Sequence, residues 1–198
     1  YTPFWYGSFV EANLLIGGQD ALVQGANTAY FVQLGSMGDL VGLDSERMHE
    51  IVMGTTSFLA GKFPFMMFGL PGAALAMYKC AKPEKRQAVG GLLGAAALTT
   101  ILTGITEPIE FTFLFAAPAL FVAHAVLGAA MSATMYGFGV VGNFGSGLID
   151  FLALNWIPMF KNHSSQMFVQ IAVGLTFSVI YFFVFRFMIL KFNLNTPG

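Results

Sequence analysis

The stretch from Gly104 to Phe111 reads GITEPIEF and interrupts the most apolar part of this chain with two carboxylates and a proline. Residues 87–106 and 111–149, which flank the two glutamates, contain no Asp, Glu, Lys or Arg. A charged side chain at the centre of a bilayer costs about 3 kcal/mol even on lenient insertion scales, and such residues face protein, water or ligand rather than lipid. Glu107 and Glu110 are therefore the first candidates for a functional site.

The composition predicts an all-α integral membrane protein. Hydrophobic residues make up 56% of the 198 residues and charged residues only 10%, whereas about a quarter of a soluble domain is charged. As one helix, residues 111–149 would be about 58 Å long, nearly twice the hydrocarbon thickness of a bilayer. The run must therefore hold at least two membrane segments, with a break expected between Gly128 and Gly142.

Charge and cysteine content exclude several other classes. The net charge is −1, and no basic patch indicates a nucleic-acid partner. The single cysteine, Cys80, excludes an internal disulfide and a CxxC redox or zinc motif. We accordingly predict no metal ion, no cofactor and no nucleic acid among the ligands of this chain.

The first half of the chain alternates polar and interrupted apolar segments. Residues 7–50 are the most polar part and are predicted to form a water-exposed loop, with a short surface helix beginning near Ser45. Residues 63–78 are apolar but short for a plain span and contain two prolines, which favours a re-entrant or discontinuous helix. The loop 79–86 carries a net charge of +3, which by the positive-inside tendency places it in the cytoplasm.

The second half is predicted to form several membrane segments. Residues 87–103 form a span or half-span whose glycines and alanines suit close helix packing. The expected order after the glutamates is one segment over 111–128, a second from Ala129, a polar connection at Asp150 and 155–166, and a final span over 167–190. Arg186 and Lys191 close that span and place the C-terminus in the cytoplasm. An even number of crossings between the two basic ends fits four spans, or two spans with re-entrant hairpins.

The stretch GITEPIEF is also predicted to break a helix. Pro108 disfavours the helical conformation for the residue before it and suits the first position of a new helix. Glu107 would then be the N-cap and Glu110 the third helical residue, both at the positive end of a half-helix dipole. Interrupted backbone inside a membrane is tolerated only where it is buried in protein or lines a cavity, so Thr106, Glu107, Pro108 and Glu110 are predicted to bind a solute. The alternative is that both glutamates only cap a helix.

A second interruption lies at Gly69-Leu70-Pro71-Gly72. Paired hydrophobic segments broken by Gly or Pro are the best sequence indication of a transporter site, so Gly69 and nearby Phe65 join the candidate substrate-binding residues. Lys62 is a further candidate, which either bonds a ligand or snorkels to the membrane interface. The glycine-rich stretch 142–147 lacks the Gly-Lys-Ser/Thr ending of a phosphate loop and is predicted to be a flexible turn.

These motifs resemble a known family. GITEPIEF resembles the hallmark of enzyme IIC, the membrane component of the bacterial phosphoenolpyruvate-dependent sugar phosphotransferase system, in its glucose superfamily. Four more motifs follow the family's order: GLPGAA at 69–74, AKPE at 81–84, GLID at 147–150 and LNTPG at 194–198. Within the family, KFPFMMFG at 62–69 and NWIPMF at 155–160 resemble the maltose and alpha-glucoside branch. The implied substrate is maltose or a related alpha-glucoside, with glucose and N-acetylglucosamine as alternatives.

The resemblance implies an all-helical, multi-pass homodimer in the bacterial cytoplasmic membrane, whose C-terminal half carries the sugar in a moving transport domain. Residues 1–198 would be most of that domain, without the N-terminal dimerising part and without the enzyme IIB domain that bears the phosphocysteine. The family's sugar-binding glutamate matches Glu107, and a histidine just before the segment matching Tyr1 would complete the polar site. The implied partners are the sugar, enzyme IIB, a second copy of the chain and the lipid bilayer. The chain would be the permease subunit of a sugar phosphotransferase, with no catalytic residue of its own.

The cysteine and the histidines are given simpler roles. Cys80 is predicted to be a free thiol on the cytoplasmic side and not the phosphocysteine, because reactive cysteines need a defined electropositive pocket. His124 is predicted to be a hydrogen-bonded packing residue, His49 to lie in an exposed loop and His163 in the polar connection.

Two other function classes stay open at this point. Intramembrane carboxylates often carry coupling protons, so the chain could belong to a proton-coupled secondary sugar transporter. It could also be a structural or regulatory membrane subunit. A requirement for a phosphoryl donor, with sugar phosphate as the accumulated product, would distinguish a phosphotransferase permease from these two alternatives.

Overall fold

The computed structural model describes residues 11–56 and 64–197, most of which are helical. The elements are, in order, β1 (Glu11–Ile16), β2 (Gln19–Gln24), α1 (Ala26–Gly35), a 3-10 turn (Met37–Leu40), α2 (Ser45–Thr56), a π-helical turn (Phe65–Gly69), α3 (Leu70–Cys80), α4 (Arg86–Thr103), α5 (Glu107–Leu114), α6 (Pro118–Gly137), a helical turn (Leu148–Asp150), a π-helical segment (Phe151–Trp156) and α7 (Ile157–Phe192).

Residues 11–56 form a small structured unit, whereas the sequence predicted a loop. β1 and β2 pair antiparallel along their whole length. The turn residues Gly17 and Gly18 both have positive φ, as tight two-residue hairpin turns require. This hairpin corrects the all-α prediction. The helix expected near Ser45 is confirmed as α2.

The hairpin is fastened to α1 by an apolar contact and a side-chain amide. Ala12 and Leu14 of β1 form a small buried core with Ala29 of α1. The buried carboxamide of Gln33 accepts a hydrogen bond from the Leu15 N–H (3.0 Å) and donates one to the Leu15 carbonyl oxygen (2.9 Å). Gln33 thus satisfies a strand backbone as a neighbouring strand would.

Helices α3 and α7 form the centre of the larger, apolar part of the fold. Two close approaches and one electrostatic interaction follow one another in the same order along both segments: Phe68, just before α3, lies against Gly174, Gly72 lies against Ser178, and Arg186 acts electrostatically on the Cys80 thiol. The two helices therefore run parallel. A Cβ atom at Gly72 would lie only 2.3 Å from the Ser178 carbonyl oxygen, so the backbones meet where a side chain does not fit.

The interruption predicted at residues 69–72 is not an unwound segment. The chain stays helical through the π-helical turn and α3, with Pro71 in the first turn of α3. Pro71 lacks the N–H that would continue the helical hydrogen bonds, and the wider π-helical turn lies directly before it. Gly69 instead admits the ring of Tyr181, which would lie 2.7 Å from a Cβ atom there. The glycines of this stretch serve helix packing.

The helix predicted over 87–103 is confirmed as α4, and part of its small-residue face is packed. A Cβ atom at Gly90 would lie 3.0 Å from the ring of Tyr78 on α3. At Gly91 and Gly94 an added Cβ would meet no described atom within 4 Å. Close packing therefore explains one of these three glycines.

The segment boundary expected near Ala129 is wrong. Helix α6 runs without interruption from Pro118 to Gly137, because proline starts a helix readily and the break lies before it, at residues 115–117. The preceding helix α5 has eight residues, which is about 12 Å. That length is less than half of a bilayer core, so α5 is a half-helix, as predicted for the helix that starts at the glutamates. The segment predicted over 111–128 is wrong, because α5 ends at Leu114 and a new helix starts at Pro118.

The polar connection expected at Asp150 and 155–166 is also wrong, because this part of the chain is helical. Residues 148–192 form one helical run whose non-helical φ and ψ values occur at His163, where the helix is kinked. Asn155 is fully buried and hydrogen-bonded to the protein. The polar residues that suggested a connection therefore include buried side chains within a helix.

Two of the described helices are long and apolar enough to cross a membrane: Pro118–Gly137 and His163–Phe192, with mean hydropathies of 1.5 and 2.2. Only 28% of each apolar window is buried inside the chain, so most of this apolar surface faces outward. The second helix contains the final span predicted over 167–190. Because α3 and α7 run parallel, the basic stretches 79–86 and 186–191 at their ends lie on the same side of the fold.

Replacing Gly72 by Ala should destabilise the fold by about 1–3 kcal/mol, the usual cost of overpacking, because the methyl group would collide with the Ser178 carbonyl. Gly94→Ala is the matched control: its site is open, and Ala favours a helix over Gly by up to about 1 kcal/mol. Thermal unfolding in detergent measures both variants. Equal unfolding midpoints would contradict the close packing of α3 on α7.

Candidate substrate-binding site

Hydrogen bonds satisfy the backbone where α4 ends and the break between α4 and α5 begins. Gly104 has a φ of +74° and ends α4 in the left-handed conformation, which glycine adopts at little cost. Its N–H donates to the Thr100 carbonyl oxygen at 3.0 Å. The Thr100 hydroxyl in turn donates to the Ile105 carbonyl oxygen at 2.9 Å. A buried threonine thus satisfies the backbone where the helix stops.

The start of α5 differs by one residue from the sequence prediction. Thr106, not Glu107, is the N-cap, and Glu107 is the first helical residue. The physical reason is that the Thr106 carbonyl oxygen already accepts the N–H groups of Ile109 (3.1 Å) and Glu110 (3.0 Å). The Thr106 side chain does not cap the helix.

The two glutamates have different surroundings. Glu107 and Pro108 are exposed at the first turn of α5, next to the buried Thr106. The Glu110 side chain is 20% exposed, and its Oε1 lies 3.5 Å from Nε2 of the buried His124. Glu107 therefore presents a carboxylate to whatever occupies the space outside this turn, whereas Glu110 is held by the protein.

His124 is bonded on its other side as well. The Tyr181 hydroxyl lies 3.1 Å from His124 Nδ1 and 3.1 Å from the His124 carbonyl oxygen. The result is a chain of polar contacts, Glu110–His124–Tyr181, that joins α5, α6 and α7. The predicted role of His124 as a hydrogen-bonded packing residue is confirmed, and Tyr181 is its unpredicted partner. The sequence offered one indication of this partner: a tyrosine within the apolar run 167–190, whose buried hydroxyl needs a hydrogen-bond partner.

The glycine-rich stretch 142–147 packs directly against the break. A Cβ atom at Gly104 would lie 2.8 Å from the Ser146 carbonyl carbon, and one at Gly147 would lie 2.2 Å from the Leu102 carbonyl oxygen. Asp150 Oδ2 accepts hydrogen bonds from the N–H groups of Gly145 (3.1 Å) and Ser146 (3.2 Å). The stretch is a turn without regular structure, as predicted, and the glycines in it allow backbone to lie on backbone.

An asparagine and tyrosine cluster ties this turn to the N-terminal unit. The Tyr30 hydroxyl lies 2.7 Å from the Leu154 carbonyl oxygen and 2.8 Å from Asn155 Oδ1. Asn155 also exchanges two hydrogen bonds with the Asn143 backbone, at 3.0 and 3.2 Å, and Asn143 Nδ2 donates to Asn27 Oδ1 at 2.8 Å. Burial raises the pKa of Tyr30, which keeps it a neutral donor. No sequence motif indicated this cluster.

The remaining predicted residues are not gathered at the break. Gly69 contacts Tyr181 and so touches the polar chain from the side of α3. Lys62 and the Phe65 side chain lie outside the described part of the structure. Cys80 is a partly buried free thiol, and His163 is buried at the kink of α7. His49 is exposed as predicted, but it lies in α2 and not in a loop.

Gly104→Ala should destabilise the fold more than Gly139→Ala. Both glycines have positive φ, so each substitution carries the left-handed strain of about 1–2 kcal/mol. The site at Gly139 is open, whereas a methyl group at Gly104 would also collide with the Ser146 backbone. Thermal unfolding in detergent compares the two, and a lower midpoint for Gly139→Ala would contradict the packing of the glycine-rich turn on the break.

Comparison with known proteins identifies relatives of this chain. A 62% identity over 132 residues, 67% of this chain and 25% of the relative, links it to the "PTS system alpha-glucoside-specific EIICB component" of Leptotrichia buccalis. The "PTS system maltose-specific EIICB component" of Bacillus subtilis is 48% identical over 100% of this chain and 34% of its own length. The "PTS system N-acetylglucosamine-specific EIIC component" of Streptomyces coelicolor is 48% identical over 88% of this chain and 42% of its own.

The chain spans less than half the length of each of these relatives. Independently, the family described as "Phosphotransferase system, EIIC" matches residues 1–129, more than half of the chain. The match covers four of the motifs that carried the resemblance, KFPFMMFG, GLPGAA, AKPE and GITEPIEF, whereas GLID, NWIPMF and LNTPG lie beyond residue 129. EIIC components are membrane proteins, in agreement with the two apolar helices. The chain therefore belongs to the EIIC family of the phosphotransferase system.

Proposed function

We propose that this chain is the sugar-carrying part of a phosphotransferase permease, and that it binds and translocates maltose or another alpha-glucoside while an enzyme IIB domain phosphorylates the sugar. The support for the substrate class is the identity of 62% and 48% with relatives named for alpha-glucosides and maltose. The EIICB names of these relatives support an enzyme IIB partner. We expect residues 1–198 to form most of the transport domain of a homodimer.

The observation that carries this proposal is the contrast between the two glutamates. Glu107 is exposed at the start of a half-helix, whereas Glu110 Oε1 lies 3.5 Å from Nε2 of the buried His124. Sugars offer hydroxyl groups in every direction, and a hydrogen bond from a hydroxyl to a carboxylate contributes about 1.5–3 kcal/mol. Glu107 is therefore the proposed sugar ligand, with Thr106 and Pro108 shaping its surroundings and Glu110 fixing the helix.

Charge accounts for the direction of transport in this proposal. A neutral sugar is attracted to the Glu107 carboxylate, but a sugar phosphate carries close to two negative charges at neutral pH. Repulsion between that phosphate and the two glutamates weakens binding after phosphoryl transfer. The product is then released on the side where it was phosphorylated, and it does not rebind for export.

The side on which phosphorylation occurs follows from the basic ends of the helices. The stretches 79–86 and 186–191 lie on the same side of the fold because α3 and α7 pack in parallel. Basic loops favour the cytoplasm, so we propose that this side and the C-terminus are cytoplasmic. Enzyme IIB would meet the transport domain there.

N-acetylglucosamine is the second candidate substrate. The Streptomyces coelicolor relative named for it is 48% identical over 88% of this chain, the same identity as the maltose-specific relative. Direct competition between maltose and N-acetylglucosamine for the same purified protein distinguishes the two.

Replacing Glu107 by Gln in the full-length gene product should weaken sugar binding tenfold or more, which corresponds to about 1.4 kcal/mol, because the amide loses the charge that strengthens the hydroxyl contacts. Glu110→Gln should weaken binding less, since the Gln oxygen still accepts from His124. It should lower the unfolding midpoint more, because the contact with His124 loses the charge of the carboxylate. Glu84→Gln, in an exposed loop, is the matched control. Titration calorimetry with maltose measures all three.

Two results would contradict the proposal. Binding by Glu107→Gln within twofold of wild type would show that this carboxylate is not a sugar ligand. Accumulation of unmodified sugar in vesicles, driven by a proton gradient and without a phosphoryl donor, would replace the phosphotransferase mechanism by proton-coupled transport.

A further inference from the structure

We infer that His124 and Tyr181 are positioning residues for the sugar site, which hold Glu110 and, through it, the first turn of α5 where Glu107 lies. The inference rests on the proposed function. Its starting observation is that three different helices, α5, α6 and α7, place one polar group each into a single chain of contacts. His124 is 6% exposed and Tyr181 is fully buried.

The hydrogen-bonding capacity of the groups sets a direction along this chain. An ionised carboxylate only accepts hydrogen bonds, so a favourable contact at 3.5 Å between Glu110 Oε1 and His124 Nε2 requires a proton on Nε2. The other ring nitrogen, Nδ1, lies 3.1 Å from the Tyr181 hydroxyl, and the same hydroxyl donates to the His124 carbonyl oxygen at 3.1 Å. Tyr181 thus holds the ring and the backbone of His124 while Nε2 faces Glu110.

Tyr181 itself is fixed by the most tightly packed part of the fold. Its ring stacks on Phe185 with ring centroids 5.8 Å apart and lies against the backbone of Gly69 on α3. The His124 ring is bordered by Phe113 of α5, with centroids 5.9 Å apart. The polar chain therefore anchors α5 to the parallel helices α3 and α7.

The short helix α5 needs such an anchor to keep its orientation. It is about 12 Å long and follows directly on the break at residues 104–106, so a rotation about the break would carry its first turn with it. Glu107 and Glu110 are three residues apart, about 4.5 Å along the helix axis. Misplacing a binding group by about 1 Å is enough to cost much of its effect, so a fixed Glu110 keeps Glu107 in place.

A purely structural role for the same residues makes a different prediction. If His124 and Tyr181 only fill the core, their substitution lowers stability and leaves the affinity of the folded protein unchanged. Their effects would also add, because independent packing defects are additive. If they act in series on Glu110, the second substitution has no further effect once the first has broken the chain.

The test compares variants of the full-length gene product in detergent. Tyr181→Phe removes one hydroxyl and keeps the ring against Gly69. His124→Leu removes the donor to Glu110, and His124→Gln restores an N–H donor without the ring. Tyr78→Phe on α3 is the matched control for loss of a tyrosine hydroxyl. Maltose affinity is measured by titration calorimetry, and uptake coupled to phosphorylation yields KM and kcat.

We expect Tyr181→Phe to weaken maltose binding about threefold or more and His124→Leu about fivefold or more, with KM raised and kcat within about twofold of wild type. The double variant should match His124→Leu within about twofold, and His124→Gln should recover most of the affinity. Should His124→Leu fail to fold, Tyr181→Phe and His124→Gln decide the question, because both preserve the size of the buried group more closely.

The inference is overturned if folded Tyr181→Phe and His124→Leu bind maltose within twofold of wild type, or if their losses add in the double variant. In either case wild-type binding leaves the proposed function standing. Absence of sugar binding by the wild-type protein itself would overturn both, and the two failures are distinguished by that single titration.

Discussion

A helix that stops inside an apolar domain leaves backbone groups and, here, two carboxylates that the protein itself must satisfy. The break between α4 and α5 meets this constraint with short-range contacts. Thr100 takes the Ile105 carbonyl, and the Thr106 carbonyl takes the first N–H groups of α5. Glu110 is engaged from within, which leaves Glu107 as the carboxylate turned outward and makes the same break both a structural solution and a binding surface.

The break is stable only because distant parts of the chain lie against it. The turn at 142–147 places backbone on backbone through Gly104 and Gly147, and Asp150 holds that turn by its N–H groups. The same turn is bonded through Asn143 and Asn155 to Tyr30 in the N-terminal unit. The polar residues Asp150 and Asn155, just before α7, and Tyr30 of the N-terminal unit thus contribute to the site without touching it.

Close packing of α3 on α7 also supports the break, from the opposite side of α5. The parallel helices α3 and α7 meet at Gly72, where the added methyl group of an alanine would overlap the Ser178 carbonyl. That contact brings Tyr181 against Gly69 and under His124. The glycines that resembled a second transporter break are therefore what allows the Glu110–His124–Tyr181 chain to form.

The sequence by itself determined the membrane class, the helical half-span after Glu107, the helices at α2 and α4, the bonded state of His124 and the family, because these follow from local charge, apolar length, proline placement and motif. It did not predict the hairpin at Gly17–Gly18 or the continuity of α6 through Ala129, and it misplaced the N-cap by one residue. Only the tertiary structure decided that Glu110 is engaged and Glu107 exposed, since the partners His124 and Tyr181 lie on other helices. Local sequence encodes which groups must be satisfied, but which group satisfies them depends on packing between elements far apart in the chain.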